Sequence, residues 1–399
     1  MASSPGPIHP FPARMAPEIA LEALSDLPAG STVLDPMCGS GSVLRSAIER
    51  GHRAVGVDLD PMAVLLSKVW TTPIHAEHLG RAIERTVARA REIEPGSVSL
   101  PAIDEDKPTR EFVDFWFAQP QQLMLRQIAG ALPSARTPTG RALRLVLSRL
   151  IITKDRGASR ARDVSHSRPH RVYEDSGVDV LERFLKSGKR LADQLASPPL
   201  PAGASVYRGD ARQLGRVRST SIDAVVTSPP YLNAIDYMRG HRLALVWLGH
   251  RIGDLSRIRS RSVGAERAPE RAGSDAAWCV AQSLIGEAPL PARDKRIFQR
   301  YVADLDQVLA EVVRVLRPGH PATFVMGNST RFGITIDNAA ALEELARARG
   351  FRRVQRYERD LPANHRYLPP PHGATSTLSQ RMRTEAVITL LSPHWGQCP

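Results

Sequence analysis

An α/β fold on a parallel sheet, interrupted midway by a helical insertion, is what the order of apolar periods in this 399-residue chain predicts. Three observations carry that expectation. Residues 31–58 read strand, Gly-rich turn, helix, strand, and such a β-α-β unit requires a parallel pair with a right-handed crossover. Strand-like runs then vanish from about 78 to 202 and resume at 203. Finally, 42% apolar and 24% charged residues are enough to bury a core, and the length suits two to three ordinary domains or one decorated one.

Taken in order, residues 16–28 predict a helix, with Ile19, Leu21, Leu24 and Leu27 ahead of Pro28 and Gly30. STVLD (31–35) is a short strand that opens into PMCGSGS. VLRSAIERG (43–51) is a helix stopped by Gly51, RAVGVDLD (53–60) is a second buried strand, and PMAVLLSKVW (61–70) starts another helix. HLGRAIERTVARAREIE (78–94) is amphipathic, and further helical stretches follow around 110–130, 139–153 and 177–196. The sheet resumes with ASVYRGD (204–210) and SIDAVVTSPPY (221–231). Residues 296–316 place Ile297, Tyr301, Leu305, Val308, Leu309, Val312 and Leu316 on one helical face, ending at Pro318 and Gly319. PATFVMGNS is a strand, NAAALEELARARG a helix closed by Gly350, and FRRVQRYERD and EAVITLL are strands. The resulting division is a core of 1–77 and 203–395, a helical insertion of 78–202, and a basic insertion of 251–293 within the core.

Charge points to the partner. The chain has 54 basic against 41 acidic residues, a net +13, and all but six of the basic residues are arginine. A GC-rich genome explains arginine over lysine but not base over acid, and an excess of this size suits a polyanion such as nucleic acid. Two segments concentrate it: KDRGASRARDVSHSRPHR (154–171) at net +4 and RIGDLSRIRSRSVGAERAPERA (251–272) at net +3. Either could equally be a solvated loop.

Several classes are excluded. Three cysteines (Cys38, Cys279, Cys398) make neither a disulfide framework nor a Cys-rich zinc module. His9, His166, His170, His241 and His250 lack metal spacing and read as surface or nucleic-acid-contacting residues. The opening MASSPGPIHPFPARM has no apolar core of a signal peptide. The longest apolar candidate, ALRLVLSRLIIT, is broken by Arg144 and Arg149, so no membrane span and a reduced, cytoplasmic setting are expected.

Three segments can carry chemistry. In VLDPMCGSGS, Asp35 ends a strand and Gly39 and Gly41 sit in the turn before a helix, where glycine permits φ > 0 and close approach of backbone to ligand. Such a turn serves many nucleotides and sometimes nothing. Asp58, 17 residues beyond Gly41, stands near where an acid grips ribose hydroxyls, while Asp60 before Pro61 reads as a helix N-cap. No second glycine spacing suits a pyrophosphate, which favours a cofactor without phosphates over NAD. TSPPY (227–231) follows a buried strand. Its prolines stiffen it and remove two N–H donors, so Ser228 Oγ and the Pro229 carbonyl can accept both hydrogens of an exocyclic amine beside the flat Tyr231 ring. A plain Pro-Pro loop leaving a strand is the alternative.

HPFPARM, LDPMCGSGS, VGVDLDP, GDARQL, TSPPY and VLRPG, in this order, resemble the S-adenosylmethionine-dependent amino-group DNA methyltransferases over roughly 8–77 and 203–392. The resemblance implies a Rossmann-like, seven-stranded, mostly parallel sheet whose one antiparallel strand would be EAVITLL. It implies that the loop Asp35, Pro36, Cys38, Gly39 and Gly41 wraps the methionine part of S-adenosylmethionine, with Cys38 a small buried side chain. Asp58 would hold the ribose, Asp210 would accept from the adenine amine, and Phe11 and Arg14 would close over the cofactor, Arg14 facing its carboxylate. Ser228, Pro229, Pro230 and Tyr231 would form the pocket of a flipped base. No metal is implied. Serine at the head of that tetrapeptide favours cytosine N4 over adenine N6. The implied partners are double-stranded DNA and a restriction or defence protein, in a nucleoid-associated setting. An RNA enzyme on the same core, such as a guanine-N2 tRNA methyltransferase, is the rival. A catalytically silent DNA-binding component would have had no reason to keep the whole set.

Overall fold

The structure is a computed structural model that describes residues 8–10, 15–164, 169–196, 200, 203–232, 236–265, 274–331, 334–361 and 384–394. It separates into a sheet unit (15–59, 204–234 and 260–399) and a helical unit (1–14, 60–203 and 235–259).

Beside a short antiparallel ribbon, Ser329–Arg331 with Ile334–Ile336, the sheet unit holds one seven-stranded sheet: β1 (Thr32–Asp35), β2 (Arg53–Asp58), β3 (Ser205–Arg208), β4 (Ala224–Thr227), β5 (Pro321–Gly327), β6 (Arg352–Asp360) and β7 (Thr384–Leu391). Their order is β6-β7-β5-β4-β1-β2-β3. β1 pairs in parallel with β2 and β4, β2 with β3, and β4 with β5. Only β7 runs antiparallel to its neighbours, β5 and β6. The fold is therefore the Rossmann-like sheet expected from the sequence, with EAVITLL as the reversed strand.

Burial explains why these segments became strands. Val33, Leu34 and Asp35 of β1 and all four residues of β4 are buried, as parallel strands covered on both faces should be. At the other extreme, β6 is a charged edge strand, RRVQRYERD, with mostly exposed side chains, and its charge discourages pairing with further strands. The helix Ala292–Val315 buries Ile297, Tyr301, Leu305, Val308, Leu309 and Val312 as the periodicity required, and Leu316 is buried just past its end. They share one core with Leu34, Val225, Phe324 and Ile388 of the sheet. Strand order reverses on either side of β1, since β2 and β3 lie one way and β4 and β5 the other.

The helical unit comprises Pro61–Trp70, Ala76–Glu92, Lys107–Trp116, Gln119–Ala131, Pro138–Ile151, Val180–Leu195 and Tyr237–Leu245, with shorter turns between. It also contains a two-stranded ribbon, 161–162 with 170–171, inside the basic loop where no strand was expected. Asp60 caps the helix at Pro61, accepting from the Met62 amide at 2.8 Å.

Two histidines assigned to the surface are in fact buried. His9 Nε2 lies 3.0 Å from Ser148 Oγ, and His241 Nδ1 lies 2.5 Å from Asp60 Oδ2. Each satisfies a polar group in an apolar interior, which histidine does as readily as it binds phosphate. His166 lies outside the described residues. Among the described residues no group of side chains has metal-binding geometry, and no helix is long and apolar enough to cross a membrane.

Candidate active site

The turn after β1 is held by its own backbone. The Cys38 amide donates to the Val57 carbonyl at 3.0 Å, and the Gly41 amide to the Cys38 carbonyl at 2.7 Å. Gly39 and Gly41 have φ of +46° and +81°, left-handed values that side chains disfavour. Gly41 then caps the helix Ser42–Glu49. The loop folds onto the end of β2 because Gly56 leaves room: a Cβ there would meet Leu44 Cδ1 at 2.5 Å and Cys38 Sγ at 3.2 Å. Cys38 is buried, as expected, and Pro36 is buried beside it.

Asp35 is only 4% exposed. Its Oδ1 accepts from Thr227 Oγ1 at 2.7 Å and from the Met37 amide at 3.1 Å. Both bonds fall on one oxygen. Burial pushes this carboxyl up to about 7, against the two hydrogen bonds that favour its charged form, and the nearby Asp58 adds to the rise. Asp58 itself accepts from the Gly39 amide at 2.8 Å, so it ties the end of β2 to the glycine turn.

Asp210 follows β3. Arg212 grips it with Nε on Oδ1 at 2.9 Å and Nη2 on Oδ2 at 2.7 Å, and the Arg212 amide adds a third bond to Oδ1 at 3.0 Å. Burial raises this carboxyl, but the Arg212 hydrogen bonds and charge outweigh it and hold Asp210 below its ordinary value.

TSPPY leaves the end of β4 directly beside Asp35. Ser228 Oγ donates to the Val325 carbonyl of β5 at 3.2 Å and lies 3.3 Å from the Tyr231 hydroxyl. Pro229 is buried, while Ser228, Pro230 and Tyr231 are half-buried. Beyond them, Ser329 donates to the Leu232 carbonyl and receives a bond from Asn338 Nδ2 at 2.8 Å, which pins the far end of the loop. Phe11 and Arg14 lie outside the described residues.

The Thr227–Asp35 bond therefore brings two motifs 192 residues apart to one point, between β1 and β4, where strand order reverses. Open α/β sheets bind ligands in that crevice. Thr227, Arg212 and Asn338 are the site residues that reading the sequence missed. Thr227 and Arg212 lie within the motifs TSPPY and GDARQL and could have been suspected, whereas nothing local marks Asn338.

Against curated proteins, the chain is 24% identical to the type II methyltransferase M.MvaI of Kocuria varians, over 96% of this chain and 90% of that protein. The chain is thus similar to a type II methyltransferase along nearly its whole length. No protein-family model matches it. Among solved structures, TTHA0409 of Thermus thermophilus in complex with S-adenosyl-L-methionine, described as a DNA modification methylase, is 20% identical over 48% of this chain and 54% of that one, with a TM-score of 0.24. TrmN of Thermus thermophilus is 12% identical over 95% of this chain and 49% of its own, with a TM-score of 0.32. The chain spans about half the length of each of those two structures.

Proposed function

We propose that this chain transfers a methyl group from S-adenosylmethionine to the exocyclic amine of a flipped base in double-stranded DNA, with cytosine N4 as the target. The Thr227–Asp35 hydrogen bond carries the reading, because it joins the glycine turn to the acceptor-rich Pro-Pro loop. The residues of the turn fit the cofactor. Two positive-φ glycines open the backbone to a ligand, and in this reading Asp35 accepts from its ammonium group. In the same reading Asp58 orients the ribose side together with the Gly39 amide, Asp210 accepts from the adenine amine, and Phe11 and Arg14 close over the methionine end. When bound, the cofactor supplies an electrophilic sulfonium methyl group.

The chain's own residues prepare the nucleophile. A base within a duplex cannot reach the end of a buried strand, so it rotates out at a cost on the order of a few kcal/mol. Its exocyclic amine is conjugated and weakly nucleophilic. Ser228 directs its single proton to the Val325 carbonyl, so its oxygen acts as an acceptor, from the Tyr231 hydroxyl on one lone pair and from an incoming N–H on the other. The Pro229 carbonyl takes the second N–H, and the two acceptors draw the nitrogen toward sp³ geometry and localise its lone pair for in-line attack. One amine proton leaves to solvent after transfer. Tyr231 stacks on the base, worth about 1–3 kcal/mol by analogy with single-strand binders. Most of the acceleration is then positioning and electrostatics. The basic helical region 78–202 and segment 251–293 supply phosphate contacts and target recognition in this reading. A nucleoid-associated cytoplasmic setting, with a restriction or defence partner, belongs to it as well.

Tritium from labelled cofactor should appear in N4-methylcytosine after digestion of modified DNA. Ser228→Ala should lower turnover about 10²–10³-fold, by analogy with loss of one oxyanion-hole donor, with cofactor affinity unchanged. Label in N6-methyladenine alone would replace the base assignment, and label in RNA but never in DNA would favour the rival substrate.

A further inference from the structure

Asp210 does not stand alone at the end of β3. Arg212 spends four hydrogen bonds on fixed partners: two on Asp210, one from Nη1 to Asp304 Oδ1 at 2.5 Å, and one from Nη2 to the Arg261 carbonyl at 2.6 Å. Asp304, on the helix Ala292–Val315, is also paired with Arg300 at 3.6 Å, and Arg300 Nη2 donates to the Ser260 carbonyl at 2.9 Å. Two carboxylates and two guanidinium groups thus balance in a largely buried cluster, with the side chains of Asp304 and Arg300 only 6% and 8% exposed. A planar guanidinium held by this many partners has one orientation, and so does the carboxylate it forks.

We infer that Arg212 is a positioning residue that sets the specificity of the nucleoside subsite, holding Asp210 as an obligate acceptor so that an amino-purine is taken and an oxo-purine refused. The inference rests on the proposed reading of Asp210 as the acceptor of the adenine amine. The physical reason is simple. An ionised carboxylate can only accept, so it bonds an amine and repels a carbonyl oxygen. A protonated carboxyl can donate, so it tolerates the carbonyl. Asp210 is largely buried, and burial favours its protonated form. The charged groups that oppose this are Arg212, in direct contact, and Arg261, with Asp304 and Arg300 balancing each other behind them. Arg212 is the one that also fixes the carboxylate plane.

The test measures binding of S-adenosylhomocysteine and S-inosylhomocysteine to the full chain by calorimetry from pH 5.5 to 8.5. Wild type should prefer the adenosyl ligand by about 10²-fold or more, as sites built around one polar group do. In Arg212→Gln the preference should collapse toward unity at the acid end. Arg212→Lys keeps a charge but not the fork, so it should retain the preference at pH 8.5 and lose it at a pH where wild type does not. That profile decides the matter if the glutamine variant fails to fold. Asp210→Asn, whose amide both donates and accepts, should lose the preference at every pH. Arg212 variants with the wild-type ratio throughout would overturn the role of Arg212 and leave Asp210 as the acceptor. A wild type without preference would instead overturn the reading of Asp210, and the inference with it.

Discussion

Replacing Asp35 with asparagine should make the protein more stable in alkali while weakening its hold on the cofactor. The carboxyl is buried and its value is pushed up to about 7, from 3.8 in an unfolded chain. Between those two values the native protein keeps a proton that the unfolded chain has released. Wild-type stability from this group is therefore full below about pH 4 and falls as pH rises to about 7. Asparagine carries no such dependence. Each pKa unit is about 1.4 kcal/mol, so from pH 5 to pH 8 the stability of Asp35→Asn relative to wild type should rise by roughly 2.5 kcal/mol. Urea unfolding of both proteins across that range measures the difference, and titrations common to both cancel. Meanwhile cofactor affinity should increase with pH through about 7 in wild type, as Asp35 ionises to meet an ammonium group, and should be low and flat in the variant. A stability difference that does not change with pH would refute the argument, because it would mean that Asp35 ionises in the native protein as it does in water.

Gly56→Ala should cost about 1–3 kcal/mol, since its new methyl overlaps Leu44 and presses on Cys38, and the displaced loop should bind the cofactor more weakly. Thermal unfolding and calorimetry would read both effects, and an unchanged affinity would mean that the loop does not touch the ligand. Neutralising Lys154, Arg156 and Arg162, which are exposed in the basic loop, should weaken all DNA sequences alike and flatten the salt slope by roughly one unit for each phosphate no longer neutralised. Arg160 is the internal control. Its guanidinium donates to the carbonyls of Glu174, Asp114 and Phe115, so Arg160→Gln should lower stability and leave the salt slope nearly unchanged.

Whatever depends on neighbours along the chain is legible in the amino-acid sequence alone. The β-α-β unit, the glycine turn, the Asp60 cap and the apolar face of the helix Ala292–Val315 follow from local period and from residues with special backbone freedom. The reversed final strand came through resemblance rather than period, because EAVITLL has the same pattern in either direction. What only the tertiary structure decided are pairings that span the chain. Thr227 meets Asp35 across 192 residues and Arg212 meets Asp304 across 92, and no periodicity encodes them. Arg160 and Arg162 look alike in a basic run, yet one braces backbone carbonyls while the other is exposed. His9 and His241 look like surface residues by composition and are buried against Ser148 and Asp60. The physical reason is common to all of these cases. A polar side chain's role is set by which partner satisfies it, and that partner is chosen by packing, after local pattern has already settled which segments become helices and strands.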